Sequence, residues 1–228
     1  MSAKPTAQAK ERGAPTPRRE PLTRERILRT ALRIMDEEGL EAVTMRRVGR
    51  ELGVEAMSLY NHVADKDDIL NGVAELVMAT FELTEETEDW REDARRAAHE
   101  WRTLLTSHPN VMVLLSERRT PITSPEALMP TEHALRILRR AGLSPEDTVR
   151  AFRAFGGYIQ GYVLMELANM FGEDHEPGHG ADWASLLPAE DFTCLCEHAP
   201  YLTDCDAETD FDFGLELLIR GLEAKGAG

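Results

Sequence analysis

Residues 44–70, TMRRVGRELGVEAMSLYNHVADKDDIL, gather side chains suited to holding a polyanion and reading an ordered edge. Arg46, Arg47 and Arg50 carry guanidinium groups that pair with phosphate or with guanine O6 and N7. Thr44 offers a hydroxyl and nearby backbone amides to a phosphate, and Lys66 offers a charge. Ser58, Tyr60, Asn61 and His62 supply mixed donors and acceptors, while Ala56 and Met57 suit apolar contact with thymine methyls. Chemistry of this kind needs a rigid mount. Val48 and Leu52 put one apolar stripe on a short helix whose other faces carry the arginines, and Gly53 ends it. A second short helix is predicted from about Ala56 to His62, with Leu59 turned inward. Two such helices around a Gly-containing turn make a helix-turn-helix over 44–63, whose second helix enters a major groove. A helical hairpin buried in a bundle leaves the Ser-Leu-Tyr-Asn-His run and the clustered arginines unexplained.

The flanks extend the unit. Thr23 is placed to cap a first helix running to about Glu38, with Ile27, Leu28, Ala31, Leu32, Ile34 and Met35 inward and Gly39 at its end. Asp65 is placed to cap a fourth helix, which carries Ile69, Leu70, Val73, Leu76, Val77 and Phe81 on one stripe. The whole run LTRERILRTALRIMDEEGLEAVTMRRVGRELGVEAMSLYNHVADKDDIL, Leu22 to Leu70, resembles the tetracycline repressor (TetR) family of bacterial transcription regulators. The LGV turn, the LYNHV end of the second helix and the K-x-x-L start of the next are the sharpest matches. The resemblance implies that Thr44, Tyr60, His62 and Lys66 clamp the DNA backbone, that Arg46 reads a base, and that Ala56, Met57 and Ser58 occupy the variable reading positions. It also implies a homodimer on a near-palindromic double-stranded operator.

A formal net charge of −15 looks wrong for such a partner until it is divided. Residues 1–70 hold 13 Lys or Arg against 12 Asp or Glu, and the remaining 158 hold 13 against 29. Cations gather where phosphates are met, and an acidic body limits non-specific adhesion. Residues 1–20, basic and Pro-containing, read as a disordered arm, either touching phosphates or a minor groove or simply loose. The absence of an export core, of a long apolar run and of paired cysteines (Cys194, Cys196 and Cys205 are three) predicts a cytoplasmic protein without disulfide or membrane span.

Beyond the acidic run 82–89 the pattern is again helical, so the expected fold class is all-α. A three-helix reader and its connecting fourth helix (21–81) precede a larger helical ligand-binding and dimerisation domain (82–228). Helices are expected over Trp90–Leu105, around Val111–Leu115, over Glu126–Arg140 with a stop at Gly142, and from Ser144–Pro145 to about Phe171. A loop of about 35 residues, Gly172–Asp206, is expected before a last helix at Asp210–Ala224. The apolar faces of the two last long helices are candidates for pairing with a second copy as a four-helix bundle.

The segments DWREDARRAAHEWRTLLTSHPNV and EHALRILRRAGLSPEDTVRAFRAFGGYIQGYVLMELA resemble the C-terminal ligand domain of the tetracycline repressor subgroup. This implies a small-molecule effector. Where that subgroup has a histidine ligand for magnesium–tetracycline, this chain has Leu114 or Leu115; the matching glutamate falls at Met165, with Glu166 one step away. Leucine and methionine offer a hard cation nothing. The expected effector is therefore a flat or greasy organic molecule, in a pocket drawn from Trp101, Val111, Met112, Leu115, Met129, Phe155, Tyr158, Tyr162 and Met165. Polar anchors would come from His99, His133, Gln160 or Glu166. Each of these residues has a plainer reading as core.

Two rival readings start from other residues. His175, His179, Cys194, Cys196, His198 and Cys205 offer soft ligands in and beside the long loop, which would make a metal sensor. Their spacing matches no tight site, and no metal or other cofactor is expected. No nucleophile elbow, phosphate-cradling loop or metalloprotease helix appears, so no catalytic residue is expected and an enzyme is the weaker alternative.

Overall fold

The structure, a computed structural model, describes residues 21–117, 122–168, 187–203 and 206–226. All regular elements among them are helical. The expected arm at 1–20 lies outside the described residues, as do His175, His179 and Cys205.

Local capping chemistry sets the first elements. Thr23 accepts a hydrogen bond from the Arg26 amide and opens α1, Arg24–Glu38. A 3-10 turn, Leu40–Ala42, leads to Thr44, which caps α2, Met45–Leu52. Gly53 ends α2 at φ +67°, a left-handed conformation that costs glycine little. Gly49 has a different reason. A Cβ there would lie 3.1 Å from the Val54 carbonyl and 3.3 Å from the Ala56 Cα, so its absence lets α2 and α3 approach. α3 covers only Ala56–Leu59, shorter than the sequence suggests. The chain then tightens, with the His62 and Val63 amides both bonding to the Leu59 carbonyl at 2.9 and 3.0 Å. Asp65 caps α4, Lys66–Met78, through the Asp68 amide.

Ile27, Ala31, Ile34, Val48, Leu59, Ile69 and Val73 form the core of this unit, each fully buried. Val111 and Leu114 belong to the same cluster. They come from α6, Pro109–Glu117, far beyond the expected boundary at residue 81. The boundary therefore separates chain segments, while the apolar packing crosses it.

The remaining helices are α5 (Trp90–Ser107), α7 (Pro125–Arg139), α8 (Pro145–Leu167), α9 (Thr193–Thr203) and α10 (Ala207–Gly226). α8 starts on Ser144 and Pro145 as expected, and its helical run ends at Leu167, short of Phe171. α9 stands inside what reads in sequence as one continuous loop; Pro200 and the polar pair Glu197 and His198 mask its period. The second core joins Ala94, Leu105, Ile137, Phe155, Ile159, Val163, Phe211, Leu215 and Ile219 from α5, α7, α8 and α10.

The acidic segment between α4 and α5 is stitched down. Asp93 is fully buried and accepts from the Thr87 amide and hydroxyl at 3.0 Å, from Arg140 at 2.6 Å and from Arg96. Burial alone would raise its pKa, but these donors hold it at about 2. Glu86 pairs with Arg136, and the Glu85 carbonyl accepts from Arg96. Among the described residues no helix is long and apolar enough to cross a membrane.

Candidate DNA-reading face and internal cavity

The reading candidates lie on α2 and its cap, on α3 and the turn after it, and at the head of α4. Thr44 is exposed, and its Oγ1 accepts from the Arg47 amide at 3.1 Å, so the hydroxyl hydrogen remains available for a phosphate oxygen. Arg46 and Arg50 are exposed and have no ion-pair or hydrogen-bond partner among the described residues. Arg47 differs. Its guanidinium bridges Glu38 at 2.5 Å and Glu51 at 2.6 Å, and its side chain is 17% exposed. Arg33 also binds Glu51. Arg47 thus fastens α2 to α1, a role that its place in the sequence, next to Arg46, does not reveal.

Met57 is 74% and Tyr60 49% exposed, while Leu59 is fully buried beneath them. Tyr60 is not a core residue. Asn61 is exposed, and Ala56, Ser58 and His62 are half-buried. Lys66 is held only loosely, 4.0 Å from Glu41. The scaffold behind this face is tied by Asp68, which binds Arg24 through both oxygens at 2.6 and 2.9 Å and accepts from the Ala64 amide at 2.8 Å. These donors, Arg24 first, hold the Asp68 carboxyl below its ordinary range. The arrangement presents unpaired cations, hydroxyls and one long apolar side chain from a rigid three-helix mount, as DNA recognition requires.

A cavity of about 380 Å³ opens among the end of α4, α5, α7 and α8. Ligand pockets commonly start near this size. Of the pocket residues expected from sequence, it brings together Trp101, His133, Phe155 and Gln160. The others lie elsewhere. Tyr158 stacks on Phe211 at 5.5 Å and donates to its carbonyl, and Tyr162 donates to the Ala207 carbonyl, both at 2.7 Å. Met112 packs in the second core and Leu115 touches both cores, while Met129 and Met165 are 39% exposed. Val111 belongs to the reader's core. Glu166 accepts twice from Arg102, and His99 faces Asp212 at 2.8 Å. The reason is rotational: α8 turns Tyr158 and Tyr162 toward α10 but Phe152, Phe155, Gly156 and Ile159 toward the cavity.

Sequence reasoning missed Met78, Phe81, Ala94, Ala97, Ala98, Phe152, Arg153, Gly156 and Gly157, which also line the space. The adjacent glycines inside an apolar helix were the available signal, since helix interiors disfavour glycine without a packing reason. His133 is buried; its Nε2 lies 3.4 Å from the Thr84 hydroxyl and its Nδ1 3.3 Å from Arg136. Burial, then Arg136, lowers its pKa, so the imidazole is neutral, with Nδ1 accepting from Arg136.

The loop residues expected for a metal sensor are described only in part: Cys194, Cys196 and His198 lie on or beside the surface of α9, where His198 Nδ1 bonds the Cys194 carbonyl at 2.7 Å. Among the described residues, the His, Cys, Asp and Glu groups that cluster tightly are His99, Glu208 and Asp212, whose candidate atoms lie within 4.8 Å. Arg102 already occupies Glu208 at 2.8 Å.

Residues 27–73 match the family profile described as bacterial regulatory proteins, tetR family, and residues 84–225 match the tetracyclin repressor-like C-terminal domain. The chain belongs to the TetR family. It is accordingly a DNA-binding transcriptional regulator and not an enzyme. This TetR-family chain is 31% identical over 211 residues to the HTH-type transcriptional repressor DrrR1 of Streptomyces coeruleorubidus, covering 89% of this chain and 77% of that one. It is 30% identical over 203 residues to the class E tetracycline repressor protein of Escherichia coli, covering 87% and 90%. In structure it is similar to the TetR family protein ActR of Streptomyces coelicolor in complex with actinorhodin, with a TM-score of 0.79 and 30% identity over 92% of this chain and 100% of that one. ActR in complex with (S)-DNPA gives the same TM-score at 29% identity, covering 90% of this chain and 99% of that one.

Proposed function

We propose that this TetR-family regulator represses transcription as a homodimer on a near-palindromic operator and releases it when a small organic effector fills the cavity. One observation carries the reading. α4 begins at Lys66, on the reading face, and Met78 at its other end lines the cavity together with Phe81 just beyond. A single helix of 13 residues, roughly 20 Å long, thus spans from candidate phosphate contact to candidate effector contact. On the reading face, Thr44, Tyr60, Asn61, His62 and Lys66 hold the backbone, and Arg46, Ala56, Met57 and Ser58 meet base edges. In the cavity, Trp101 and Phe155 supply ring faces and Gln160 supplies a polar anchor, while both ring nitrogens of His133 are already engaged by Thr84 and Arg136.

Dimerisation is supported by apolar surface on the last two long helices: Val149 and Leu164 on α8, and Phe213 and Leu217 on α10, are 37 to 68% exposed. Covering such surface favours a second copy. ActR binds actinorhodin and (S)-DNPA, and by that likeness the effector of this chain is a small organic molecule. To move the population from one arrangement to the other almost completely, the effector must favour the released form by about 5.5 kcal/mol.

Selection of bound DNA from a random pool, followed by displacement with a panel of small aromatic molecules, tests the reading. A two-fold symmetric site released by at least one member supports it. Selection of an asymmetric site, or of none, overturns it.

A further inference from the structure

The chain from His62 to Asp68 joins the turn after α3 to the head of α4, and it is closed by side chains. Asp65 accepts from the Asp68 amide and Asp68 accepts from the Ala64 amide, both at 2.8 Å. Arg24, in the first turn of α1, adds a second tie from outside the segment. Its Nη1 donates to Asp68 Oδ2 at 2.9 Å and to the His62 carbonyl at 3.3 Å, and its Nη2 donates to Asp68 Oδ1 at 2.6 Å. One guanidinium thus holds the chain on both sides of Ala64.

Room for this tie is built into α4. A Cβ at Gly72 would lie 2.6 Å from Leu28 Cδ2 and 3.3 Å from Arg24 Nη2, so a glycine one turn past Asp68 lets α1 and its arginine close on α4. The candidate phosphate contacts stand at the two ends of the tied segment. Among the described residues Lys66 has one ion-pair neighbour, Glu41 at 4.0 Å, so its place is set by the backbone that carries it.

We infer that Arg24 and Asp68 are positioning residues for operator binding: their two-pronged pair, with the His62 carbonyl, fixes where His62 and Lys66 meet the DNA backbone. This rests on the reading of His62 and Lys66 as phosphate contacts. A planar fork serves two carboxylate oxygens and a carbonyl together, which an ammonium group does not. Fixed geometry matters for operator binding, where phosphate contacts set the register of the base contacts. It matters little for random duplex, where phosphate attraction alone drives binding.

Binding of the full-length protein to an operator duplex selected from a random pool, and to random duplex, tests this. Asp68→Asn sets positioning against simple electrostatics, because it removes a negative charge from the DNA-binding unit and charge alone then tightens binding to any DNA. The expected result is operator binding weakened by about tenfold while random duplex binds as before or more tightly. Arg24→Lys keeps the charge and loses the fork, and is expected to weaken the operator about as much. In a Lys66→Ala background the cost of Asp68→Asn is expected to shrink to about threefold or less, because the side chain it places is gone. Measurement well below the melting temperature of each variant keeps loss of folding apart, since unfolded protein lowers binding to both duplexes alike. Operator binding by Asp68→Asn that is unchanged or tighter, parental binding by Arg24→Lys, equal losses on both duplexes, or full additivity with Lys66→Ala overturns the inference and leaves the phosphate contacts standing. If Lys66→Ala binds both duplexes as the parent does, the phosphate reading falls and the inference with it.

Discussion

Asn110 donates its side-chain amide to the main-chain carbonyl of Met35 at 2.9 Å, joining the start of α6 to the last turn of α1. His108 meets Asp36 beside it at 2.9 Å, and Val111 and Leu114 follow into the reader's core. The larger domain therefore grips the reader through α6, which packs on α1 and α4, and through α7, which packs on α4. Asn110→Leu should lower stability by about 1 kcal/mol, the worth of one neutral hydrogen bond, in urea denaturation. Operator affinity should stay within about twofold, because no candidate DNA contact moves. Loss of operator binding at unchanged stability would show the grip to be part of the reading surface itself.

The three arginines of α2 separate into two kinds. Arg46→Ala should weaken operator binding and loosen discrimination at one base position, by about 1–3 kcal/mol for a bidentate guanine contact. Lys66→Ala should weaken all sequences alike and reduce the salt slope by about one. Arg47→Ala should lower the melting temperature, because Glu38 and Glu51 lose their shared partner, and leave base discrimination intact. Competition binding against point-mutated operators, at several salt concentrations, separates the three.

The local chemistry of helix ends was readable from sequence: Thr23, Asp65 and Ser144 each cap the helix expected of them by accepting an amide three residues on. A cap depends on its own four residues, so it needs no knowledge of the fold. Direction around a helix is a different matter. Arg46 and Arg47 are about 100° apart, and only the position of Glu38 decides which one is fastened. The same holds for the cavity, where Tyr158 and Phe155 look equivalent until α10 and α5 are in place. Asp93 reads as a favourable acid in a first helical turn, and nothing local tells that the linker and α7 close over it.

Asp93 gives the fold an acid sensitivity with a defined window. Its folded pKa, about 2, lies below the ordinary 3.8, so its contribution is present above about pH 4 and is lost as pH falls toward 2. The difference is worth about 2 kcal/mol. Asp93→Asn should remove this part of the pH dependence and also lower stability at pH 7, because Arg140 and Arg96 lose a buried partner. Chemical denaturation at stepped pH values reads both effects.

Filling the cavity should separate its two roles. Gly156→Leu places a side chain where the added Cβ meets nothing within 4 Å and removes a helix-interior glycine. Thermal melting should rise, operator affinity should hold, and a reporter under the operator should stay repressed when effector is added. A variant that loses operator binding outright would instead make the cavity part of the reader's fold.

The central claim, that one helix links cavity occupancy to the spacing of two reading faces, is tested most directly by a distance. Arg29, exposed on α1 and outside the candidate DNA contacts, is a suitable labelling site once Cys194, Cys196 and Cys205 are replaced. Pulsed electron resonance between Arg29→Cys spin labels on the two protomers reads the separation of the two readers. The account predicts one narrow distribution in the operator-bound form, where the readers are fixed on adjacent turns of the duplex, and a shifted one with a compound that releases the operator. No inter-protomer distance at all, or one distribution unchanged by such a compound, would contradict it.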